Sequence, residues 1–191
     1  MTKLYFVRHA QPEYGWKDDK TRPLTKEGKA DSQIVLDFLK DKKIDAFYCS
    51  PYKRSLDTIS DAAAFFGQEI VTDERLRERE SGTNGNQHGM FEKRWTDHDY
   101  HEEHGESIRM VQQRNIAALT EILAENKDKT VVIGTHGTAL STILNYYNPE
   151  FGCKDFLRII DWMPYIIELD FEEGKLISKQ EHCYIYKEFK V

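Results

Sequence analysis

The sequence has no long apolar stretch. No run of apolar residues approaches the ~20 that a transmembrane helix needs. The apolar run nearest the amino terminus, residues 5–7, is far too short for the core of a signal peptide, and Arg8 and His9 end it. We therefore expect a protein that neither binds nor spans a membrane and that carries no secretion signal.

Cysteine and excess positive charge are also scarce. Cys49, Cys153 and Cys183 are odd in number, widely separated and without metal-ligand spacing, which favours a reducing cytoplasm as the location. Lysine and arginine total 27 against 33 aspartates and glutamates, and the resulting net charge of -6 argues against nucleic-acid binding. Any site for an anion must therefore be a local basic pocket.

Strand-like and helix-like patterns alternate along all 191 residues, and neither an internal repeat nor a linker interrupts them. A single domain over residues 1–191 is therefore expected. One helix should begin at the capping residue Thr25 and run through Leu39, and a long helix should begin at the cap Ser107. The remaining predicted elements are strands at 4–7, 44–50, 68–76 and 130–137, helices near 53–66 and 138–147, and a hairpin of 165–171 with 175–189. This order predicts an α/β fold, a three-layer α/β/α sandwich with a mainly parallel central sheet.

Residues 82–105 break the alternation. This segment is polar and glycine-punctuated and holds four of the seven histidines, and insertions of this kind often cover active sites. We therefore predict an active-site lid at about residues 82–105. Three of its histidines, His98, His101 and His104, have a spacing that brings successive residues near one helix face. The third drifts from that face and no cysteine joins them, so the spacing favours a solvated lid surface over a metal site.

Charged and polar residues follow three of the predicted strands. Arg8 and His9 end the first strand, Arg54 follows the second, and His136 ends the apolar run of the fourth. The carboxyl ends of parallel strands share one edge of a sheet, where ligands bind, so these side chains are expected to converge. Paired arginines suit a phosphate dianion, and a neutral imidazole is a competent nucleophile near pH 7. The pattern indicates a site for phosphoryl transfer.

A carboxyl group that can protonate a leaving group is also present. The segment "RLRERESG" supplies Glu78, with Glu80 as the alternative, just before the predicted lid. Other roles are open for each of these residues. Arg8 and Arg54 could form surface ion pairs, His136 could be a core histidine with its hydrogen bonds satisfied, and Glu78 could be merely solvated.

Six segments, taken in order, resemble the motifs of one enzyme family. "VRHA" is similar to an arginine-histidine-glycine signature with Ala10 in place of glycine, and "RPLTKEGKADS" to a leucine-threonine-x-x-glycine segment. "CSPYKRSLDT" resembles a serine-proline-x-x-arginine motif, and "LRERESG" a leucine-x-glutamate-x-x-x-glycine element. "GES" and "GTHG" resemble the opening of the next helix and the second histidine motif. On this resemblance, which spans roughly residues 3–147, the chain is identified as a member of the histidine phosphatase superfamily, also called the phosphoglycerate mutase-like fold.

The resemblance implies a role for each residue. His9 is expected to be the nucleophile that becomes phosphohistidine, and Arg8, Arg54 and His136 to hold the phosphoryl oxygens. Glu78 is expected to protonate the departing alcohol and then to activate water. No metal or other cofactor is expected, since the arginines supply the positive charge. The implied activity is that of a metal-independent phosphatase acting on a small phosphorylated metabolite.

Two alternatives on the same fold are a cofactor-dependent phosphoglycerate mutase and a catalytically inactive phosphate-binding protein. Mutases resemble this chain at the centre but carry a longer, more basic insertion that grips the substrate carboxylate. The predicted lid here holds only Lys93 and Arg94 as cations, which favours hydrolysis. The presence of every group that the two steps need argues against an inactive protein. The motifs predict neither the substrate nor the oligomeric state.

Two details test the limits of the resemblance. Many relatives carry an asparagine where this chain has Gly15, so Gln11 or Tyr14 would have to replace that contact. "CSPYKRS" is also similar to a cysteine phosphatase loop, which requires five residues between cysteine and arginine. Only four separate Cys49 from Arg54, so Cys49 is expected to be a buried strand residue instead.

Overall fold

The computed structural model describes residues 1–83, 85–87 and 89–190, and within them the chain forms one six-stranded sheet. The strands are β1 (Thr2–Arg8), β2 (Ala46–Cys49), β3 (Ile70–Thr72), β4 (Thr130–Thr135), β5 (Trp162–Glu172) and β6 (Lys175–Tyr186). Their spatial order is β3-β2-β4-β1-β5-β6. Strands β1 to β4 are parallel, whereas β5 pairs antiparallel with β1, and β6 pairs antiparallel with β5. The predicted mainly parallel sheet and the closing hairpin are confirmed.

Helices cover both faces of this sheet. They are α1 (Lys26–Asp31), α2 (Gln33–Leu39), α3 (Lys53–Phe65), α4 (Met90–Thr96), α5 (Ile108–Glu125), α6 (Gly137–Tyr147) and α7 (Cys153–Ile159). Successive side chains of β1 enter two different cores, because neighbours along a strand point to opposite faces. Leu4 and Phe6 pack with residues of α5 and α6, whereas Tyr5 and Val7 pack with residues of α2 and α3. The three-layer arrangement is therefore confirmed.

The helix boundaries follow the predicted caps with one difference. The side chains of Thr25 and Ser107 each accept a hydrogen bond from the backbone N–H three residues on, as expected of helix caps. The helix after Thr25 is not continuous to Leu39, because α1 ends before Ser32 and α2 begins after it. The Ser32 hydroxyl donates to the Lys29 carbonyl at 2.7 Å, a local bond that commonly bends helices. Helices α4 and α7, each of seven residues, were not predicted because two turns give too short a periodic pattern.

The register of the sheet brings three strand ends together. Arg8 of β1 pairs with Thr135 of β4, and Cys49 of β2 pairs with Gly134 of β4. The residues that follow β1, β2 and β4 therefore leave the sheet side by side at its carboxyl edge. None of the helices in the described part of the chain has the length and apolar character required to cross a membrane.

Candidate active site

The structure brings four of the predicted site residues together at that edge. Arg8 is the last residue of β1 and His9 follows it, Arg54 lies in the first turn of α3, and His136 caps α6. All four are buried, with exposed fractions of 3% for Arg8, 6% for His9, 2% for Arg54 and 0% for His136. Buried charged groups need fixed partners, so their hydrogen bonds define how the site is held.

His9 is held with one ring nitrogen free of a proton. Nδ1 lies 2.7 Å from the carbonyl oxygen of Ala10, which can only accept, so Nδ1 carries the hydrogen. Nε2 then has a lone pair, and it accepts a hydrogen bond from Nε of Arg54 at 3.3 Å. Burial, and then the charges of Arg54 and Arg8, lower the pKa of His9 well below its usual range. His9 is therefore a neutral imidazole at neutral pH, with Nε2 able to attack.

Arg8 is fixed by backbone carbonyls from the far end of the chain. Its Nη1 donates to the oxygens of Ile159 at 2.6 Å and Trp162 at 3.2 Å. Within the described residues its buried Nε has no hydrogen-bond partner. Burial lowers the pKa of Arg8 to about 10, so the guanidinium still carries its charge at neutral pH. A Cβ at Gly137 would lie only 3.2 Å from Cζ of Arg8, so a larger residue there would push the Arg8 guanidinium by a few tenths of an ångström.

Arg54 is fixed by a residue that the sequence analysis did not identify. Nη1 of Arg54 donates to the backbone oxygen of Asp19 at 2.7 Å and to its Oδ1 at 3.1 Å, and Nη2 donates to Oδ2 at 3.4 Å. Asp19 lies 35 residues earlier, in the loop between β1 and α1. No sequence signal links two residues at that separation, and only the fold places them together.

His136 packs against His9 and has its own unpaired nitrogen. The two rings meet edge to face with centroids 5.2 Å apart. Nε2 of His136 lies 2.7 Å from the hydroxyl of Ser50, which itself accepts from the backbone N–H of Tyr52 at 3.2 Å. Among the described residues the buried Nδ1 has no partner. Burial, and then Arg54 and His9, lower the pKa of His136 well below its usual range, so this ring is neutral too.

Glu78 lies over the amino terminus of α6. Its Oε2 accepts from the N–H of Thr138 at 3.0 Å, and its Oε1 accepts from the N–H groups of Ala139 at 3.2 Å and Arg79 at 2.8 Å. Free N–H groups and the helix dipole both stabilise a carboxylate at this position. Glu80, the alternative acid, has a half-exposed side chain whose nearest cation is Arg77 at 3.6 Å. The structure thus gives Glu78, and not Glu80, a fixed carboxylate.

A buried ion cluster holds the loop that carries Glu78. Arg114 of α5 donates from Nη1 to the carbonyls of Arg75 and Arg77, both at 2.7 Å, and from Nη2 to that of Glu78 at 3.0 Å. Glu106 accepts from Nη1 of Arg77 at 2.6 Å and from Nε and Nη2 of Arg114, both at 2.9 Å. Burial alone would raise the pKa of Glu106, but hydrogen bonds from Arg114 and Arg77 lower it to about 2. The loop is therefore fixed by charges that persist at neutral pH.

A cleft of about 540 Å³ opens over these groups. Arg8, His9, Arg54 and Glu78 line it, whereas the fully buried His136 is not among the lining residues. Of the two residues expected to compensate for Gly15, Tyr14 lines the cleft, and Gln11 does not. Gln11 instead accepts a hydrogen bond from the Thr25 hydroxyl at 3.1 Å.

The carboxyl-terminal tail forms one wall of the cleft, which the sequence analysis did not anticipate. Phe189 and Lys190 line it, and the backbone N–H of Phe189 donates to Oδ1 of Asp161 at 2.7 Å. The Phe189 ring meets the Tyr14 ring edge to face at 5.7 Å. It also lies 6.1 Å from the ring of Phe91 in α4. The tail therefore bridges the loop after β1 and the predicted lid.

The predicted lid, residues 82–105, contributes Asn86 and Phe91 to the cleft. Its two cations do not line the cleft. Arg94 is buried and donates to Glu102 at 2.6 Å, and Lys93 lies over the Tyr100 ring at 3.9 Å. Closure of this segment over a substrate stays a prediction.

The lid histidines do not form a metal site in the described residues. His98 packs edge to face on Trp95, Nδ1 of His101 lies 3.1 Å from the carbonyl of Glu102, and His104 is exposed. The fourth histidine of the segment, His88, lies outside the described residues. In the part of the chain that the structure describes, no group of three or more histidine, cysteine, aspartate or glutamate residues could hold a metal ion. Trp95 of this segment is buried, with its ring against those of Phe151 and Phe156.

Cys49 is the buried strand residue that the sequence predicts. It is fully buried in β2, where burial raises the pKa of its thiol to about 12. A thiol in that environment stays protonated and is a poor nucleophile.

The sequence and the fold of this chain are similar to those of known proteins. The sequence profile of the histidine phosphatase superfamily, branch 1, matches residues 4–177. The chain belongs to the histidine phosphatase superfamily. The match runs from within β1 to the start of β6, and the family predicted from the six motifs is confirmed.

Two relatives come from Hydrogenobacter thermophilus. One is named phosphoserine phosphatase 1 and is 27% identical over 157 residues, which are 71% of this chain and 71% of the relative. The other, whose name assigns it provisionally as phosphoserine phosphatase 2, is 39% identical over 90 residues. That match spans 43% of this chain and 42% of the relative, so it covers less than half of either.

Solved structures show the same fold. A mutant phosphoserine phosphatase from Entamoeba histolytica, solved in complex with phosphoserine, superimposes with a TM-score of 0.77 at 22% identity. The superposition covers 96% of this chain and 96% of that one. At 22% identity the likeness shows the phosphoglycerate mutase-like fold alone, so the chemistry has to be inferred from the residues of this chain.

Proposed function

We propose that this protein is a metal-independent phosphatase that hydrolyses a small phosphomonoester through a phosphohistidine intermediate on His9. The observation that carries the proposal is the state of His9. Its Nδ1–H is committed to the Ala10 carbonyl, its Nε2 has a lone pair, and both arginines lie within the same buried site. A histidine in this state serves as a nucleophile toward phosphorus, since it needs no base to remove a proton.

In the first step Nε2 of His9 attacks phosphorus and the bond from phosphorus to the leaving oxygen breaks. The Glu78 carboxylate takes the proton of a monoanionic phosphate ester and gives it to that oxygen, so an alcohol and not an alkoxide departs. The guanidinium groups of Arg8 and Arg54 stabilise the charge on the three transferring oxygens. The amino terminus of α6, an eleven-residue helix, adds its own positive dipole at the same place.

His136 would act as a hydrogen-bond donor in both steps. The Ser50 oxygen accepts from the Tyr52 N–H, so its own hydrogen can point to Nε2 of His136. That arrangement places the ring hydrogen of His136 on the unpaired Nδ1; because His136 does not line the cleft, a phosphoryl oxygen would have to reach past the lining residues to accept it.

In the second step water attacks the phosphohistidine and the bond between phosphorus and Nε2 breaks. Glu78, again a carboxylate, takes the proton from the attacking water and passes it to the departing phosphate, so it ends as the carboxylate it began as. Inorganic phosphate leaves and His9 is again neutral. Phosphate, the alcohol and the unchanged enzyme account for all atoms of the ester and the water.

The predicted lid contributes no cation to the cleft, and this favours hydrolysis over mutase activity. A mutase needs cations that hold the substrate while it turns over within the site. Neither lid cation, Lys93 or Arg94, lines the cleft, although five cations from other segments do: Lys17, Lys20, Arg22, Arg79 and Lys190. The names of the relatives support phosphoserine as a candidate substrate, and 3-phosphoglycerate is the natural comparison because it carries a carboxylate at a similar distance. We further propose a cytoplasmic location, since the three cysteines are free.

The test uses purified protein with nitrophenyl phosphate, phosphoserine and 3-phosphoglycerate, without added metal or bisphosphoglycerate. We expect release of inorganic phosphate and, after an alkaline quench with a radiolabelled substrate, label on a histidine. His9→Ala should abolish both. His104→Asn removes an imidazole that is 84% exposed and outside the cleft, so it should leave both unchanged.

Two results would overturn the proposal. Efficient conversion of 3-phosphoglycerate to 2-phosphoglycerate without phosphate release would identify a mutase. Absence of label and of turnover with every phosphoester tried would identify a phosphate-binding protein.

A further inference from the structure

Arg8 and Arg54 are both anchored through Nη1, Arg8 by two backbone carbonyls and Arg54 by Asp19. A guanidinium has an outer edge formed by Nη1 and Nη2 and an inner edge formed by Nε and Nη2. Arg8 is anchored at Nη1 by the carbonyl oxygens of Ile159 and Trp162, and its Nε is left without a partner in the described residues. The inner edge of Arg8 is therefore the edge available to a ligand.

Arg54 repeats this arrangement with a side chain in place of a second carbonyl. Its Nη1 donates to the backbone oxygen and Oδ1 of Asp19, and its Nη2 donates to Oδ2, so Asp19 occupies the outer edge. Nε, on the inner edge, points at Nε2 of His9 from 3.3 Å. A phosphoryl group on Nε2 of His9 would replace that nitrogen as the acceptor of the Arg54 Nε–H, so it would meet the inner edge of Arg54, which Asp19 does not occupy.

Asp19 is itself held in place. The carbonyl of the next residue, Lys20, accepts from the N–H of Lys53 at 2.9 Å, which docks the loop on the first turn of α3 beside Arg54. The Asp18 carboxylate accepts from the Lys20 N–H and the Thr21 hydroxyl and so closes the turn. Arg22 lies 3.0 Å from Oδ1 of Asp19. The carboxylate therefore has a fixed position relative to α3, although its side chain is 42% exposed.

We propose that Asp19 is a positioning residue for phosphoryl transfer, holding the outer edge of Arg54 so that the inner edge faces the phosphoryl group on His9. The inference rests on the proposed phosphatase function. Asp19 stays in place through the reaction and touches Arg54, not the substrate. The opposite interpretation is that its carboxylate only fills an anion site and leaves when phosphate binds.

The two interpretations predict opposite effects of Asp19→Asn. If Asp19 positions Arg54, the loss of a charge-assisted hydrogen bond should weaken inorganic phosphate and vanadate and lower kcat/KM for nitrophenyl phosphate, by about tenfold. If Asp19 competes with phosphate, both anions should bind more tightly. Asp57→Asn is the matched control, since Asp57 pairs with Lys53 on the same helix, outside the cleft, and should change neither value.

A double-mutant cycle separates positioning from a general structural role. In an Arg54→Ala background, Asp19→Asn should change vanadate affinity and residual turnover less than twofold, because the group that it orients is gone. An equal loss in both backgrounds, or tighter anion binding by Asp19→Asn alone, would overturn the proposal. Phosphate binding by calorimetry does not depend on turnover. An inactive wild type would therefore refute the proposed function, whereas an active wild type with an equally active Asp19→Asn would refute only this inference.

Discussion

Replacement of Glu106 by glutamine should destabilise the protein in a way that depends on pH. The carboxylate is buried and accepts hydrogen bonds from Arg77, Arg114 and the N–H of Glu80, and its pKa is lowered from 4.5 to about 2. A fall of that size corresponds to about 3 kcal/mol of folding free energy at pH 7. Because the pKa is lower in the folded state than in the unfolded chain, this stabilisation is complete above about pH 4.5. It declines as the pH falls and is lost below about pH 2.

Urea unfolding of wild type and Glu106→Gln, followed by tryptophan fluorescence, measures this directly. The free energy of unfolding should differ by about 3 kcal/mol at pH 7 and by about 1.5 kcal/mol at pH 3, since most of the linkage is lost between those values. Glu121→Gln removes an exposed carboxylate that also pairs with an arginine, Arg75, and should have a much smaller effect. A difference of the same size at both pH values, or an equal effect of Glu121→Gln, would refute the assignment of the charge network to Glu106.

Three further predictions concern the site. Glu78→Gln should reduce turnover of an alkyl phosphate by about 10²–10⁴-fold more than that of nitrophenyl phosphate, because the nitrophenolate leaving group needs no proton. An equal loss on both substrates, or this substrate dependence in Glu80→Gln instead, would show that Glu78 is not the acid. Gly137→Ala should lower kcat/KM by roughly tenfold or more, because the added methyl group displaces the Arg8 guanidinium. Thermal stability should not fall, because alanine favours the helix. Unchanged kinetics would mean that the close approach of Gly137 to Arg8 is unimportant. Phe189→Ala should raise KM for nitrophenyl phosphate several-fold but alter that for phosphoserine little, since Phe189 lines the cleft and an aryl leaving group would pack against its ring. Equal shifts for both would contradict a contact with the leaving group.

Much of the site could be predicted because its residues are tied to strand ends. Arg8, His9 and His136 are adjacent in sequence to β1 and β4, and parallel pairing brings the ends of those strands to one edge whatever the helices do. Arg54 follows β2 by a fixed short spacing. Local sequence and one rule of sheet geometry were therefore enough to bring the four together.

The supporting residues could not be predicted because they act across the fold. Asp19 reaches Arg54 from a polar loop whose conformation depends on its docking to α3. Arg114 and Glu106 lie in and before α5. Glu106 belongs to the "GES" segment, but that motif indicated only the opening of the helix and not a buried carboxylate paired with two arginines. Phe189 follows an edge strand, and nothing in its neighbourhood indicates that the chain turns back toward the cleft. Partners of this kind are set by tertiary packing and leave no periodic or spacing signal.

The anchoring of Arg8 bears on when the protein can acquire activity during its synthesis. Arg8 leaves the ribosome early, but the carbonyls that orient it belong to Ile159 and Trp162, and β1 lies between β4 and β5 in the sheet. This strand, β1, therefore has no complete set of neighbours until the chain through β5 has emerged. Pairing over such a separation in sequence forms late and slowly. A nascent or truncated chain that ends before β5 would hold all five predicted site residues yet leave the guanidinium of Arg8 unoriented, so hydrolysis should begin only after β5 has been synthesised.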